Sequence, residues 1–302
     1  MKTESEQARG SRSHQAAAGF ALLALFVTTC RAEKRIGRPI SPPDRSAFRS
    51  SVGLATCDRT PSDCGGACPT GHLSRCVASS ATGPYLVTCD DQSEYEDGYD
   101  TAVICGKGLQ QSPIGVRVSY DASWSGDGKL VAVTGDTKPD PRSLAQEDKV
   151  YIVDRLGRLL GQEFKLPGTA FRVAFSPDGT HIVALAAPEE DIGDYLHGQA
   201  YLIDRLSGAV RPVLAGRHVR SPVWSPSGRS FTLAQDGGMF VFVVATDNLV
   251  IEEIDTAQLA TAPASRVRSL AWPIRDKLWI QYENDDIEEE GWVELPVDWK
   301  GK

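Results

Sequence analysis

Methionine is almost missing from this chain, with 2 in 302 residues, and histidine is scarce, with 5. No block of lysine or arginine occurs, and the formal charge is −8. Nucleic-acid binding draws on clustered cations that displace the counterions of phosphates, so scattered bases on an acidic chain exclude DNA and RNA as partners. Beyond residue 30 no stretch of ten residues repeats its apolar positions with a 3.6-residue period, which excludes alternating βα architecture. The chain also lacks G-x-S-x-G, H-E-x-x-H, G-x-x-x-x-G-K-[ST] and a G-x-G-x-x-G opening a helix, so catalysis has no visible home and the expectation is a protein that is not an enzyme. His72, His181, His197 and His218 lie in separate segments and read as loop or surface histidines. What remains is a globular composition, 41% hydrophobic and 24% charged, with 28 Gly and 18 Pro.

Residues 1–29 read as a signal segment. A polar stretch with Lys2, Arg9 and Arg12 precedes an apolar run from Ala16 to Val27, long enough for the core of a secretory signal and too short to cross a bilayer as a helix. The run ends Val27-Thr28-Thr29-Cys30, which resembles the bacterial lipoprotein signal and makes Cys30 the expected lipidation site. Thr29 departs from the usual Gly, Ala or Ser, so an ordinary signal peptide is the alternative. Arg31 resembles outer-membrane sorting in Gram-negative bacteria. The expectation is an outer-membrane or cell-surface lipid-anchored chain, or a periplasmic one without the lipid. Residues 30–46 are rich in Pro, Arg and Ser and read as a tether.

Seven cysteines are present and none lies beyond Cys105. Setting Cys30 aside leaves Cys57, Cys64, Cys68, Cys76, Cys89 and Cys105, an even number suited to disulfides in an oxidising compartment. No second C-x-x-C pair supports zinc, and the spacing leaves the connectivity open.

Residues 47–302 repeat. Ala122-Ser123-Trp124-Ser125-Gly126-Asp127-Gly128-Lys129 aligns with Val173-Ala174-Phe175-Ser176-Pro177-Asp178-Gly179-Thr180 and with Pro222-Val223-Trp224-Ser225-Pro226-Ser227-Gly228-Arg229. Leu270-Ala271-Trp272 keeps the aromatic without the glycine, and Val77-Ala78-Ser79 opens a degenerate first copy. The aromatics are 51, 49 and 48 residues apart, the period of one four-stranded propeller blade. Each turn precedes a strand: Tyr85 to Cys89, Leu130 to Thr134, His181 to Ala186, Ser230 to Ala234 and Leu278 to Tyr282. A further strand is nearly duplicated as Tyr151-Ile152-Val153-Asp154-Arg155-Leu156-Gly157 and Tyr201-Leu202-Ile203-Asp204-Arg205-Leu206-Ser207-Gly208.

These repeats resemble TolB-type propellers, related to WD-like blades, over about residues 73–302. The resemblance implies an all-β propeller of about five four-stranded blades and no particular reaction, since related propellers serve as periplasmic scaffolds and as gates of peptidases. Cys57 to Cys76 becomes an insertion where the ring is sealed. The fifth copy lacks an outer strand, and the predicted donor is Ala47 to Ala55, pairing with Trp292 to Pro296.

Labelling the strands a to d outward, the b–c connections, 90–100, 136–148, 189–197, 235–238 and 283–290, hold 21 acidic side chains in 45 residues, among them Asp97, Asp100, Glu288, Glu289 and Glu290. In a propeller these connections share one face. Arg172, Arg220 and Arg268 recur just before the aromatics and would form a collar inside that acidic rim. The functional expectation is a binding module whose loop face takes a protein or cell-envelope component, with no cofactor required and weak Ca2+ binding as a possible use of the acids. The alternatives are a degenerate propeller hydrolase or lyase, or a small-anion sensor, with its site at the channel mouth.

Overall fold

The computed structural model describes residues 38–41, 64, 68, 73–80, 84–90, 101–107, 109, 112–137, 148–188, 197–236, 240–256, 266–274, 277–284 and 289–297. They belong to one compact unit, Lys34–Lys302. Its strands are β1 (Arg38–Ile40), β2 (Leu73–Ser79), β3 (Tyr85–Asp90), β4 (Thr101–Cys105), β5 (Ser112–Pro113), β6 (Arg117–Trp124), β7 (Leu130–Asp136), β8 (Lys149–Asp154), β9 (Leu159–Phe164), β10 (Thr169–Phe175), β11 (His181–Ala187), β12 (Gln199–Asp204), β13 (Val210–Val213), β14 (Val219–Trp224), β15 (Ser230–Gln235), β16 (Phe240–Ala245), β17 (Ile251–Asp255), β18 (Arg266–Ile274), β19 (Lys277–Asn284) and β20 (Glu289–Pro296). They form five four-stranded sheets with every pairing antiparallel. Four sheets run in sequence order, a-b-c-d, and the chain folds as a five-bladed β-propeller.

The repeated turn works through its serine and aspartate. In the second, third and fourth blades the glycine N–H closes on the serine carbonyl at 2.9 Å, as Gly128 to Ser125, Gly179 to Ser176 and Gly228 to Ser225. Gly128, Gly179 and Gly228 have φ of 65°, 70° and 69°, a region that costs a side-chain-bearing residue and not glycine. The serine hydroxyl donates to the aspartate at 2.8 Å (Ser125 to Asp127) and 2.6 Å (Ser176 to Asp178). The turn returns the chain as strand b, and strand alternation then supplies two apolar faces per sheet.

Successive blades pack face to face. Leu86, Ile104, Trp124 and Tyr151 join the first and second blades; Ile152, Phe175 and Ile203 the second and third; Leu202, Trp224, Phe231 and Phe242 the third and fourth; Val243, Trp272 and Leu295 the fourth and fifth. The conserved register of the repeat explains the aromatic. Trp124 Nε1 donates to the Ala78 carbonyl at 3.4 Å and Trp224 Nε1 to the Ala174 carbonyl at 2.8 Å, the residue before the corresponding position one blade earlier. Phe175 has no such donor. There the backbone donates to the preceding blade instead, with the Phe175 N–H bonding Ser123 Oγ at 3.0 Å.

The first blade carries disulfides on the face turned away from the second. Cys64–Cys105 and Cys68–Cys89 bind the cysteine-rich segment to β4 and β3, and Cys64 and Cys105 are buried with Val87. Cys76 is also disulfide-bonded. Such cross-links restrict the unfolded chain, by about 2–4 kcal/mol each in the chain-entropy account, and they fit an oxidising compartment. Cys30 and Cys57 lie outside the described residues.

The outer strand of the fifth blade comes from the N-terminal side, but from a different segment than expected. β1 pairs with β20, with Arg38 opposite Glu294, Pro39 opposite Val293 and Ile40 opposite Trp292. Those residues fall in the stretch read as a tether. The expected donor, 47–55, lies outside the described residues, and its alternation of Phe48, Val52 and Leu54 pointed away from the short Pro-containing strand that fills the edge. Pro39 lacks an N–H, and an outermost strand tolerates it because one of its edges has no partner.

Candidate functional site

In an a-b-c-d sheet the a–b and c–d turns leave at one end and the b–c and d–a connections at the other. The second end holds the arginines singled out in the sequence. Each inner strand has a register shift there: between Cys76 and Ala78, Val118 and Ala122, Ala170 and Arg172, Arg220 and Val223, and Val267 and Ser269. Such bulges bend a strand and re-aim its side chains. Arg172 and Arg220 flank the irregularity and Arg268 occupies it.

The arginines are engaged within the propeller. Arg172 Nε lies 3.9 Å from Asp121 Oδ2 on the preceding blade. Arg220 Nη2 donates to the Val267 carbonyl on the next blade, while its Nε is buried without a partner. Arg268 Nη1 pairs with Glu283 on its own blade. Arg217, beside them, pairs with Glu253 at 3.1 Å and lies 5.1 Å over the Phe242 ring. Arg172 and Arg268 thus face carboxylates, while Arg220 is held by a backbone carbonyl of the next blade with no carboxylate against it.

Two carboxylates here are buried. Asp121 Oδ2 accepts the Val173 N–H at 3.0 Å, tying two adjacent inner strands together. Burial pushes its pKa up to about 6, against the opposing pull of Arg172 and of the Val173 and Ala122 N–H groups. Asp148, at the entry to β8, is likewise pushed to about 6 by burial; Ser119 and Arg117 oppose the shift and Asp136 reinforces it.

Two histidines that are far apart in the sequence meet at this end. His197 precedes β12 and His218 precedes β14; their rings stack with centroids 5.1 Å apart and planes at 29°. His197 Nδ1 lies 3.1 Å from Asp236 Oδ2. Backbone bonds fix the arrangement: Gly198 and Val219 exchange N–H to carbonyl bonds at 3.0 and 2.9 Å, and the Asp236 N–H donates to the His218 carbonyl at 3.0 Å. Gly198 is required by close approach, because a Cβ there would sit 2.5 Å from the Ala186 carbonyl oxygen and 2.7 Å from the Phe171 ring. A carboxylate holding one imidazole in place is a unit that can orient a base or bind an anion when protonated. Among the described residues neither ring has a hydroxyl or thiol hydrogen-bonded to it, and no cluster of three metal-ligating groups is present.

No family model matches the chain, and no curated protein matches it. Solved structures share the fold at low identity. An oligogalacturonate lyase in complex with manganese aligns with a TM-score of 0.52 and 10% identity over 76% of this chain and 68% of that one. TolB from Acinetobacter baumannii aligns at 0.39 and 14% over 76% and 64%, and a TolB-type protein of Agrobacterium tumefaciens at 0.44 and 16% over 75% and 84%. Such likeness speaks to the fold alone.

Of the residues expected on the acidic rim, Asp97, Asp100 and Glu288 lie outside the described residues. Glu289 and Glu290 begin β20, opposite Asn284 and Glu283, so the hairpin extends further than the expected loop of 283–290. The His197, His218 and Asp236 group was missed in the sequence. Its members belong to two blades and the connection between them, and the available signal was only that His218 falls just before a repeated strand, as His197 does.

Proposed function

We propose that this is an exported, lipid-anchored propeller that binds a basic protein or cell-envelope partner through its b–c face and performs no chemistry. One observation supports the reading: in each of the five sheets strand c is the antiparallel neighbour of strand b, so the end of b and the start of c lie at the same end of the sheet. Those connections hold 21 acidic and two basic side chains in the 45 residues singled out above. Disulfides in the first blade support export. The arginines near the inner strands, being already engaged, serve the ring rather than a ligand.

If the rim docks a basic partner, association slows steeply with added salt, and replacing Glu288, Glu289 and Glu290 by Gln lowers the on-rate more than it raises the off-rate. Stopped-flow or surface-based kinetics with a partner captured from solubilised envelope reads both. Salt-independent association overturns the docking face. The anchor is tested separately: an N-terminal peptide beginning at Cys30 carries acyl mass, and its absence removes the lipid from the reading.

A second reading, a small-ligand or lyase-type site at the channel mouth, is favoured by the His197, His218 and Asp236 group. The same kinetics separate the two, since binding there is lost in His197→Ala and unaffected by the glutamate substitutions.

A further inference from the structure

The near-duplicated Asp-Arg-Leu motifs have a structural role on the opposite face. In each, the aspartate caps its own c–d turn. Asp154 Oδ1 accepts the Leu156 N–H at 2.9 Å and the Arg158 N–H at 3.0 Å; Asp204 Oδ1 accepts the Leu206 and Ser207 N–H groups at 2.9 Å. Gly157 and Gly208, with φ of 80° and 76°, complete the turns. By bonding the leucine's own N–H, the aspartate sets the leucine at the tip, and Leu156 and Leu206 are 50% and 70% exposed.

They are not isolated. Among the described residues the large exposed apolar side chains are Tyr120, Leu156, Leu159, Leu160, Leu206, Val250, Ile251 and Ile274. All but Tyr120 lie in, or within two residues of, the a–b and c–d turns. Adjacent blades bring these turns together: Gln162 Nε2, on β9, donates to the Arg205 carbonyl at 2.9 Å, and Arg211 Nη2, on β13, donates to the Thr246 carbonyl at 3.1 Å. Apolar tips gathered on one face of a water-exposed protein mark an interaction surface.

Charge selects the partner. Between the strand ends, the a–b and c–d turns hold seven basic and four acidic side chains, against two and 21 in the b–c connections. Arg155 and Arg229 are exposed on this face, as are Lys129 and Arg158, which pair with Asp127 at 3.0 Å and Asp154 at 2.6 Å. The chain also enters the described fold here. β20 runs from the b–c end towards the a–b/c–d end, and Arg38 pairs with Glu294 near its finish. Cys30 is eight residues earlier, a reach of at most about 28 Å.

We propose that the a–b/c–d face rests on an anionic lipid surface, with the turn leucines entering the headgroup boundary, the arginines and lysines meeting lipid phosphates, and the acidic b–c face directed away. Apolar tips combined with cations bind such surfaces, and an acidic face is repelled by them. This goes beyond the partner-docking reading and concerns the other end of the propeller.

The test is flotation of the exported chain carrying Cys30→Ser, which removes any acyl contribution, with vesicles of phosphatidylcholine alone or with phosphatidylglycerol added. The expected result is co-flotation with the anionic vesicles, reduced about tenfold on neutral ones and about tenfold by Leu156→Ser with Leu206→Ser. Both leucines are exposed, and the thermal transition of the double variant is expected to match the parent, which separates lost binding from unfolding. No flotation, or flotation unchanged in the double variant, overturns the proposal. So does a dimer in sedimentation that the double variant dissolves, because a second copy would then cover the face. Replacing Glu288, Glu289 and Glu290 by Gln leaves flotation unchanged, so failure of the docking reading does not imitate failure of this one.

Discussion

At the a–b/c–d end, Asp127 is held down at about 2, mainly by the Lys129 and Ser125 hydrogen bonds. Asp154 and Asp178 are partly desolvated, which raises them, yet backbone N–H groups and neighbouring Arg158, Ser176 and Thr180 carry both below the usual carboxylate range. Asp204 is lowered chiefly by the Ser207 N–H. Towards the other end Asp121 and Asp148 are pushed the opposite way, to about 6. The difference lies in what surrounds the carboxylate. A turn aspartate, even one buried like Asp154, gathers several N–H and side-chain donors, whereas Asp121 and Asp148 have given up water and received too few donors in return. The turn acids secure local geometry, and Asp121 fastens one blade to the next at an electrostatic cost.

The largest expected effect tests the buried side of this contrast. Asp121→Ala leaves the Val173 N–H without its acceptor and costs about 2 kcal/mol in denaturant unfolding. Asp121→Asn keeps an acceptor oxygen and costs much less. The sign of the pH response follows from the raised values. Between about 4 and 6 the native state holds protons that the unfolded chain, with carboxylates near 3.9, has lost, so stability falls as pH rises through this window. Thermal unfolding is expected at higher temperature at pH 5 than at pH 7, and the gain shrinks in Asp121→Asn with Asp148→Asn. The lowered turn acids act with the opposite sign. Their contribution is present above the unfolded value and is lost as pH falls below about 4, towards about 2 for Asp127. A stability that rose steadily from pH 5 to pH 8 would break the contrast.

A smaller effect tests the turn side. Asp154→Ala and Asp204→Ala each remove a cap made to two N–H groups and are expected to cost about 1 kcal/mol, read by the same unfolding. These turns sit at the periphery, so hydrogen exchange should rise at Leu156, Arg158, Leu206 and Ser207 while the inner strands stay protected. Equal loosening at Val173 would mean that the two ends are coupled.

Much of the fold was legible because a propeller repeats its local chemistry. Ser-Pro-Asp-Gly carries its own turn, the following apolar run is a strand by composition, and the near-constant spacing of Trp124, Phe175, Trp224 and Trp272 gives the blade period. The ring's closure was only half legible. A missing outer strand at Trp292 to Pro296 could be read from the count, but the donor could not, because a three-residue edge strand containing Pro39 has no pattern to distinguish it from a tether. The aspartates of the Asp-Arg-Leu turns were visible as a duplication whose meaning depended on where the leucines point.

By itself the sequence determined the repeat of about five four-stranded blades, the order of strands within each, the turns that join them and the acidity of the b–c connections, since these depend on residues close together in the chain. Which arginines are free, which histidines meet, and which carboxylates lose their water were decided only by the tertiary structure. Each of those depends on a neighbour distant in the chain, from 15 residues for Arg268 and Glu283 to 52 for Asp121 and Val173, and on burial that arises only when the strands and sheets pack together.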